Sequence, residues 1–214
     1  MSKTKIFWDK ASKDYDKSEK RFEYIHNRTR ENTRKYLDPS NVVLDYGCGT
    51  GTNSCGLASK VKEIRAIDIS SEMIQIAKSK AANANIENIS FEQTTIFDKR
   101  YQNETFDVIL AFNVLHTVDR PKEVIKRMYE LLKPNGLLIS ATPCLEGKKS
   151  LIVSMQIYLV RLLSKLAIIP IHIRRYKNSD LDKLIGKSEF QTVATEEIYR
   201  GASSYFIVAK KSSQ

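Results

Sequence analysis

The stretch VVLDYGCGTG, from Val42 to Gly51, decides the fold. Its first residues are apolar and favour a short buried strand, and its alternating glycines allow a tight turn in which a ligand can approach bare backbone. The third glycine lies two residues after the second, whereas the dinucleotide fingerprint places it three residues after. No Gly-Lys-Ser/Thr follows, which excludes a phosphate-binding P-loop. The stretch therefore predicts a strand, a turn and a helix around a ligand that is neither a nicotinamide cofactor nor a P-loop nucleotide.

The rest of the chain alternates between short apolar runs and helical patterns, which predicts parallel βαβ units in a doubly wound α/β fold. Strands are predicted at 42–45, 64–68, 89–94, 106–112, 136–142, 190–198 and 203–209, and helices at 3–36, 52–60, 70–84, 121–132 and 178–186. The last two strands are too close in sequence for a crossover helix, so they should form an antiparallel hairpin. Ser70 or Ser71 is placed to cap the helix that follows the second strand.

Several ordered stretches resemble one family, the class I S-adenosylmethionine-dependent methyltransferases. VVLDYGCGTG is similar to its first motif, IRAIDISSEMIQIAK to its second strand and helix, and ETFDVILAFNVLHTVDRPKEVIKRMYELLKPNGLLIS to its fourth and fifth strands. The resemblance covers residues 7–143 well and the C-terminal hairpin weakly. It implies a Rossmann-like, seven-stranded sheet in the order 3-2-1-4-5-7-6 with the last strand antiparallel, a helical cap, and S-adenosylmethionine as cofactor.

The resemblance also assigns cofactor-binding residues by position. Asp68, 21 residues after Gly47, matches the acid that binds the ribose hydroxyls, and Ile69 and Met73 should cover the adenine. Thr95 stands where the family usually has an acid that binds the adenine amino group, so this contact departs from the pattern. The full set that the resemblance implies is Tyr15, Asp45, Gly47, Cys48, Gly49, Gly51, Asp68, Ile69, Met73, Thr95, Ile96 and Asn113.

Two residues are candidates for the catalytic side. FWDKASKDYD at 7–16 resembles a helical signature of small-molecule methyltransferases, in which the tyrosine, here Tyr15, lies near the sulfonium. A tyrosine face attracts a cation, although Trp8 and Tyr15 can equally form the apolar stripe of a lid helix. His116 follows the fourth strand and is the candidate general base, with a role in framing the pocket as the alternative. No spacing in the sequence is typical of a metal site.

The acceptor class follows from what comes after the fourth strand. Aminopurine and glutamine N-methyltransferases carry Asn/Asp-Pro-Pro-Tyr/Phe there, whereas this chain has Phe112-Asn113-Val114-Leu115. The pattern is more similar to enzymes of ubiquinone and menaquinone biosynthesis, which favours transfer to a carbon or oxygen atom of a small, lipophilic molecule. Two alternatives stay open: a cofactor-binding regulatory module without turnover, and a tRNA or protein methyltransferase.

Composition and charge limit which of these functions are possible. The 214 residues are 42% apolar and 28% charged, which is typical of a globular protein and excludes collagen-like, disordered and polytopic membrane classes. Three cysteines without a metal or C-x-x-C spacing predict reduced thiols and a cytoplasmic location. The net charge is +10, and the basic residues are not interleaved with aromatics, so nucleic acid is the less favoured partner.

The chain is predicted to be one domain, 1–214, with two additions to its core. Residues 1–40 form an N-terminal helical cap, 41–143 the cofactor-binding core, 145–177 a helical lid insertion, and 178–214 a C-terminal helix and hairpin. The window 147–177 has seven basic residues and no acid, beside a nearly apolar run at 151–169. This composition suits a lid over the acceptor, a helix lying peripherally at a membrane surface, or a homodimer contact; the oligomeric state is a monomer or a homodimer.

Overall fold

The computed structural model describes residues 3–144, 155, 158 and 173–212. Its helices are α1 (Lys3–Glu19), α2 (Glu23–Arg34), α3 (Thr52–Leu57), α4 (Ser71–Asn83), α5 (Pro121–Leu131) and α6 (Asn178–Gly186). Its strands are β1 (Val42–Tyr46), β2 (Glu63–Asp68), β3 (Ile89–Gln93), β4 (Phe106–Phe112), β5 (Leu132–Pro143), β6 (Phe190–Tyr199) and β7 (Ser203–Lys211).

The strands form one seven-stranded sheet in the order β3-β2-β1-β4-β5-β7-β6. The first five strands are parallel, and β7 pairs antiparallel with both β5 and β6. This confirms the predicted fold class, strand order and antiparallel hairpin. The carboxyl ends of β1, β2 and β4 therefore meet at one edge of the sheet, on either side of the point where the strand order reverses, which is where open α/β sheets bind their ligands.

Apolar side chains cover both faces of the central strands. Val43 and Leu44 are adjacent on β1 and both are fully buried, yet Val43 belongs to the core layer under α3 and α4, and Leu44 to the layer under α5 and α6. A strand that packs on both faces reads as a continuous apolar run, which is what β1 and β4 show. These layers fix the carboxyl ends of the strands from which the site is built.

Two elements differ from the sequence prediction. The N-terminal helical pattern, predicted as one span over 3–36, is divided by a 3-10 turn at Lys20–Phe22 into α1 and α2. Strand β5 begins at Leu132, earlier than the predicted start at 136, and residues 133–136 form a bulge, because the pairing with β4 jumps from Leu132 to Leu137. In contrast, Ser70 caps α4 as expected, accepting the Met73 N–H at 3.1 Å.

The predicted lid at 145–177 lies outside the described residues, except for Met155, Tyr158 and the segment 173–177. Its three interpretations therefore stay predictions. Within the described residues, no helix is both long and apolar enough to cross a membrane.

Candidate active site

The glycine turn after β1 is fixed by backbone bonds to the neighbouring strand. The N–H groups of Gly47 and Cys48 both donate to the Ile67 carbonyl, at 2.8 and 3.0 Å. Gly47 has φ +71°, and a Cβ there would lie 2.6 Å from Val114 Cγ2. The turn therefore needs glycine both for its backbone angle and for its contact with the loop after β4.

Gly51 has a packing role. Its φ is +75°, and a Cβ there would meet the Cβ of Ala77 at 2.8 Å and Cε1 of Phe91 at 2.9 Å. The absence of a side chain lets α3 begin directly against α4 and β3. Gly51 does not line the cavity described below.

Asp68 closes the same turn from the end of β2. Its Oδ2 accepts the Gly49 N–H at 3.0 Å, and its Oδ1 accepts the Ser70 N–H at 2.9 Å. Burial raises the pKa of Asp68, while these backbone bonds act against that rise. A carboxylate offers about four acceptor positions, so the two oxygens can also accept bonds from a vicinal diol of a ligand.

A cavity of about 260 Å³ opens between this turn, α1 and the loop after β4. Eight of the residues predicted to bind the cofactor line it: Tyr15, Gly47, Gly49, Asp68, Ile69, Met73, Thr95 and Asn113. Further lining residues that the sequence reasoning did not assign to the cofactor are Thr4, Trp8, Tyr46, Ile67, Thr94, Phe97, Phe112, Val114, Thr117, Val118, Asp119, Arg120 and Val124. The sequence signal for Phe97 is a large aromatic three residues after the predicted strand 89–94.

The other predicted cofactor residues lie beneath or beside the cavity and do not line it. Asp45 is 2% exposed and accepts a bond from the Ser54 hydroxyl at 2.6 Å; burial raises its pKa to about 6. Ile96 is fully buried in the apolar core. Cys48 is half-buried in the turn, and burial raises the pKa of its thiol.

Helix α1 covers the cavity and is attached to α4 by two polar clusters. Asp9 Oδ1 accepts bonds from the Ser70 hydroxyl at 2.7 Å and the Glu72 N–H at 3.3 Å, so its charge lies at the N-terminus of α4, where the helix dipole favours an anion. Seven residues further along α1, Asp16 accepts hydrogen bonds from the Thr50 hydroxyl at 2.6 Å and from Lys80 at 2.9 Å. Trp8 and Tyr15, each adjacent to one of these carboxylates, are both in the cavity wall, with their rings edge-on at 6.4 Å.

The loop after β4 forms the opposite wall and is held by Arg174. The Arg174 N–H donates to the His116 carbonyl at 2.8 Å. Its guanidinium donates to the carbonyls of Val118 at 3.2 Å and Asp119 at 2.5 Å. The end of the predicted insertion, at 173–177, is thus bound directly to the cavity wall, and no local sequence pattern predicts this contact.

His116 lies in this loop but does not line the cavity. It is half-buried, and its Nδ1 is buried without a hydrogen-bond partner among the described residues. Burial lowers the pKa of His116 to about 4, against an opposing effect of the Glu19 carboxylate, so the imidazole is neutral at pH 7. A neutral imidazole is the form that can accept a proton.

The family model described as a methyltransferase domain matches residues 37–196, about three quarters of the sequence. The chain belongs to this methyltransferase family. Its cofactor is S-adenosylmethionine.

Curated methyltransferases are similar in sequence to part of the chain. The malonyl-[acyl-carrier protein] O-methyltransferase of Halalkalibacterium halodurans is 33% identical over 52% of this chain and 42% of its own length. The ubiquinone biosynthesis O-methyltransferase of Pasteurella multocida is 35% identical over 47% of this chain and 45% of its own length. The matched region thus spans less than half of the length of these relatives.

Solved structures show the same fold. The crystal structure of an S-adenosylmethionine-dependent methyltransferase from Methanosarcina mazei is similar at a TM-score of 0.66 and 21% identity, covering 85% of this chain and 97% of that one. The YcgJ protein of Bacillus subtilis is similar at a TM-score of 0.70 and 16% identity, covering 88% of this chain and all of that one.

The methyltransferase's cavity fits this cofactor on chemical grounds. The Asp68 carboxylate retains acceptor positions for the ribose hydroxyls, and Ile69 and Met73 provide apolar contacts for a ring beside them. At the glycine turn, a Cβ on Gly49 would lie 3.7 Å from Tyr15 Cε1, in the space between the turn and α1. Within the described residues, no group of three or more His, Cys, Asp or Glu side chains could hold a metal ion.

Proposed function

We propose that the protein transfers a methyl group from S-adenosylmethionine to a carbon or oxygen atom of a small, lipophilic organic acceptor. The observation that carries the proposal is a cavity lined by both Asp68 and Tyr15. The Asp68 carboxylate is suited to bind ribose hydroxyls, and Tyr15 covers the cavity from α1. The two curated relatives described above support oxygen as the receiving atom, because both are O-methyltransferases.

In this proposal the bound cofactor supplies a methyl group already activated on a sulfonium, and the protein aligns the acceptor and excludes water. Asp68 holds the ribose end, while Trp8 and Tyr15 close the cleft from α1. The neutral imidazole of His116 is the candidate base when the acceptor must lose a proton, and Tyr15 is proposed to lie beside the sulfonium.

The acceptor is expected at the cavity wall formed by the loop after β4, which Arg174 holds. That loop connects the cavity wall to the segment that ends the predicted lid. An aromatic and aliphatic wall made by Phe112, Val114 and Val118 suits a lipophilic molecule better than a polynucleotide.

The test is turnover with methyl-labelled S-adenosylmethionine and a cellular extract divided into organic-soluble and aqueous fractions. We expect S-adenosylhomocysteine and label in an organic-soluble small molecule, and much less of both products with the Asp68→Ala variant when the cofactor concentration is limiting. Tight cofactor binding without product from any fraction would favour the binding-module alternative. Label in tRNA or protein would replace the small-molecule acceptor.

We also propose that the protein is cytoplasmic and contacts membranes peripherally through 151–177. The support is the basic and apolar composition of that window, in which cations contribute about 1 kcal/mol each near an anionic surface. Co-sedimentation with anionic and neutral vesicles at low and moderate salt tests it. Salt-sensitive binding to the anionic vesicles alone is expected; protein that stays in the supernatant contradicts it.

A further inference from the structure

Ser70 connects the cavity wall to helix α1. Its N–H donates to Asp68 Oδ1 at 2.9 Å, and its hydroxyl donates to Asp9 Oδ1 at 2.7 Å. The same hydroxyl accepts the Met73 N–H at 3.1 Å, and Ser70 is fully buried. A residue that is bonded through both its backbone and its side chain is held in one orientation. Asp9 on α1 and Asp68 in the cavity wall are therefore joined through one buried serine.

Asp9 also helps to cap α4. The first N–H groups of a helix have no partner within the helix itself. Ser70 accepts the N–H of Met73, and Asp9 accepts the N–H of Glu72 at 3.3 Å. Lys5 binds the other oxygen of Asp9 at 2.6 Å and so holds the carboxylate in place. A side chain from one helix thus caps the next, and it can do so only while α1 is packed on α4.

The orientation of the Asp68 carboxylate depends on its backbone donors. Its Oδ1 accepts the bond from Ser70, and its Oδ2 accepts the Gly49 N–H at 3.0 Å. Each oxygen keeps a further acceptor position, and two neighbouring ribose hydroxyls can use both positions only if the plane of the carboxylate is fixed. A carboxylate that loses one donor can rotate about its Cβ–Cγ bond, and ordering it again costs free energy on binding.

The charge of Asp9 does not itself favour an ionised Asp68. Burial is the main cause that raises the pKa of Asp68, and the Asp9 charge adds to the rise because like charges repel. A benefit of Asp9 for Asp68 must therefore be transmitted by the hydrogen bonds of Ser70 and not by the charge.

We infer that Asp9 is a positioning residue for S-adenosylmethionine, which fixes the Asp68 carboxylate, through Ser70, in the orientation that binds the two ribose hydroxyls. This inference rests on the proposed function, in which Asp68 holds the ribose. It adds that a residue outside the cavity lining sets the affinity for the cofactor, and that α1 contributes to the ribose site as well as covering it.

The second carboxylate that attaches α1 provides the comparison. Asp16 accepts bonds from Thr50 and Lys80, and these contacts do not involve Ser70. Asp16→Ala therefore removes an attachment of α1 but leaves the connection through Ser70 in place. Asp14 is an exposed carboxylate on the same helix, so Asp14→Ala controls for the loss of charge.

The experiment is a double-mutant cycle measured by calorimetry, with S-adenosylhomocysteine as the probe. Asp9→Ala, Asp16→Ala and Asp14→Ala are each made in the wild type and in Asp68→Ala. Asp9→Ala should raise the dissociation constant about fivefold or more in the wild type, but less than about twofold in Asp68→Ala, where no carboxylate is left to orient. Asp16→Ala should change it by the same factor in both backgrounds, and Asp14→Ala by less than about twofold in either.

Two more variants test the hydrogen bond itself. Asp9→Asn keeps an oxygen that can accept the Ser70 hydroxyl, so it should retain more affinity than Asp9→Ala. Ser70→Ala removes the same bond from the other side while keeping the N–H that donates to Asp68. Its effect on affinity should likewise depend on Asp68, and it decides the question if circular dichroism shows that Asp9→Ala is unfolded.

Three results would overturn the inference. They are an unchanged affinity in Asp9→Ala, an equal effect of Asp9→Ala with and without the Asp68 carboxylate, and an effect of Asp16→Ala that depends on Asp68 as strongly as that of Asp9→Ala. Wild-type affinity in Asp68→Ala would likewise overturn it, together with the ribose-binding role of Asp68.

The binding measurements are independent of the methyl acceptor. Wild-type protein that binds S-adenosylhomocysteine but turns over no acceptor would contradict the proposed function, while the cycles would still decide the role of Asp9. Where turnover is found, Asp9→Ala should raise the KM for S-adenosylmethionine and leave kcat within about twofold of the wild type, because Asp9 acts on cofactor binding and not on the reacting atoms.

Discussion

Replacement of Asp45 by Asn should change how stability depends on pH, and the size of the change follows from the burial of this carboxyl. Asp45 is 2% exposed and keeps one hydrogen bond, from Ser54. Its pKa is about 6 in the folded protein against an ordinary value of 3.8. Desolvation is the main cause, and the nearby Asp68 charge adds to it.

The sign follows from proton linkage. Between pH 3.8 and about 6 the folded protein holds a proton on Asp45 that the unfolded chain has released. The stabilising contribution of this carboxyl is therefore fully present below pH 3.8 and is lost as the pH rises through about 6. A shift of this size corresponds to about 3 kcal/mol, of which about 2 kcal/mol is lost between pH 4.5 and 7.5.

Asn has no proton to lose, and its carbonyl oxygen can still accept the Ser54 bond. Urea unfolding of the wild type and Asp45→Asn, at several pH values from 4.5 to 7.5, measures the difference in unfolding free energy. That difference should move by about 2 kcal/mol in favour of the Asn variant as the pH rises. Burying the Asn amide changes the unfolding free energy by an amount that does not depend on pH. This amount cancels, because only the change of the difference with pH is compared.

Asp14→Asn is the matched control, since it removes an exposed carboxylate from α1. Its unfolding free energy should run parallel to that of the wild type. Parallel curves for Asp45→Asn and the wild type would refute the reasoning and would mean that Asp45 is ionised in the folded protein without a desolvation penalty.

Three further substitutions test the site. Asp68→Ala should weaken S-adenosylmethionine binding at least tenfold by calorimetry, because charge-assisted hydrogen bonds contribute about 1.5–3 kcal/mol each; unchanged affinity would place the ribose elsewhere. Gly51→Ala should lower the free energy of unfolding by about 2–4 kcal/mol in urea. Gly201 has a similar φ of +74° but open space around it, so Gly201→Ala should cost only about 1–2 kcal/mol. Equal losses would show that the packing around Gly51 does not add to the cost of its backbone angle. Arg174→Ala should weaken cofactor binding severalfold, and Arg174→Lys should restore part of it; wild-type affinity in Arg174→Ala would show that the loop keeps its position without the guanidinium.

The fold was predictable because local patterns and packing agree. An apolar run at β1 and β4 requires cover on both faces, and the short spacing before β7 permits only a hairpin. The strand order itself was predicted from the resemblance to the class I S-adenosylmethionine-dependent methyltransferases. The break between α1 and α2 was not predictable, because the polar pattern over 3–36 continues across the 3-10 turn. The bulge in β5 depends on pairing with β4 and has no clear local signal.

The site was predictable where residues lie in stretches that resemble the family's motifs, since eight of the predicted cofactor residues line the cavity. Gly47, Gly49 and Asp68 follow from motif spacing, and they line the cavity. Arg174 lies 55 residues from the carbonyl of Asp119 that it binds, and such a contact depends on tertiary structure alone. The same holds for Asp9, which reaches the N-terminus of α4 only when α1 packs against that helix.

The way in which α1 is attached has a consequence for entry and release of ligand. Only Ser12 of this helix is buried among its described residues, and its hydrogen bonds to α4 and the turns beside it are made by Lys5, Asp9 and Asp16. Helix α1 can therefore detach with a much smaller free energy than the sheet needs to unfold, as a separate cooperative unit. Its amides should exchange with deuterium well before those of β1 and β4, and bound S-adenosylmethionine should slow that exchange in α1 most of all.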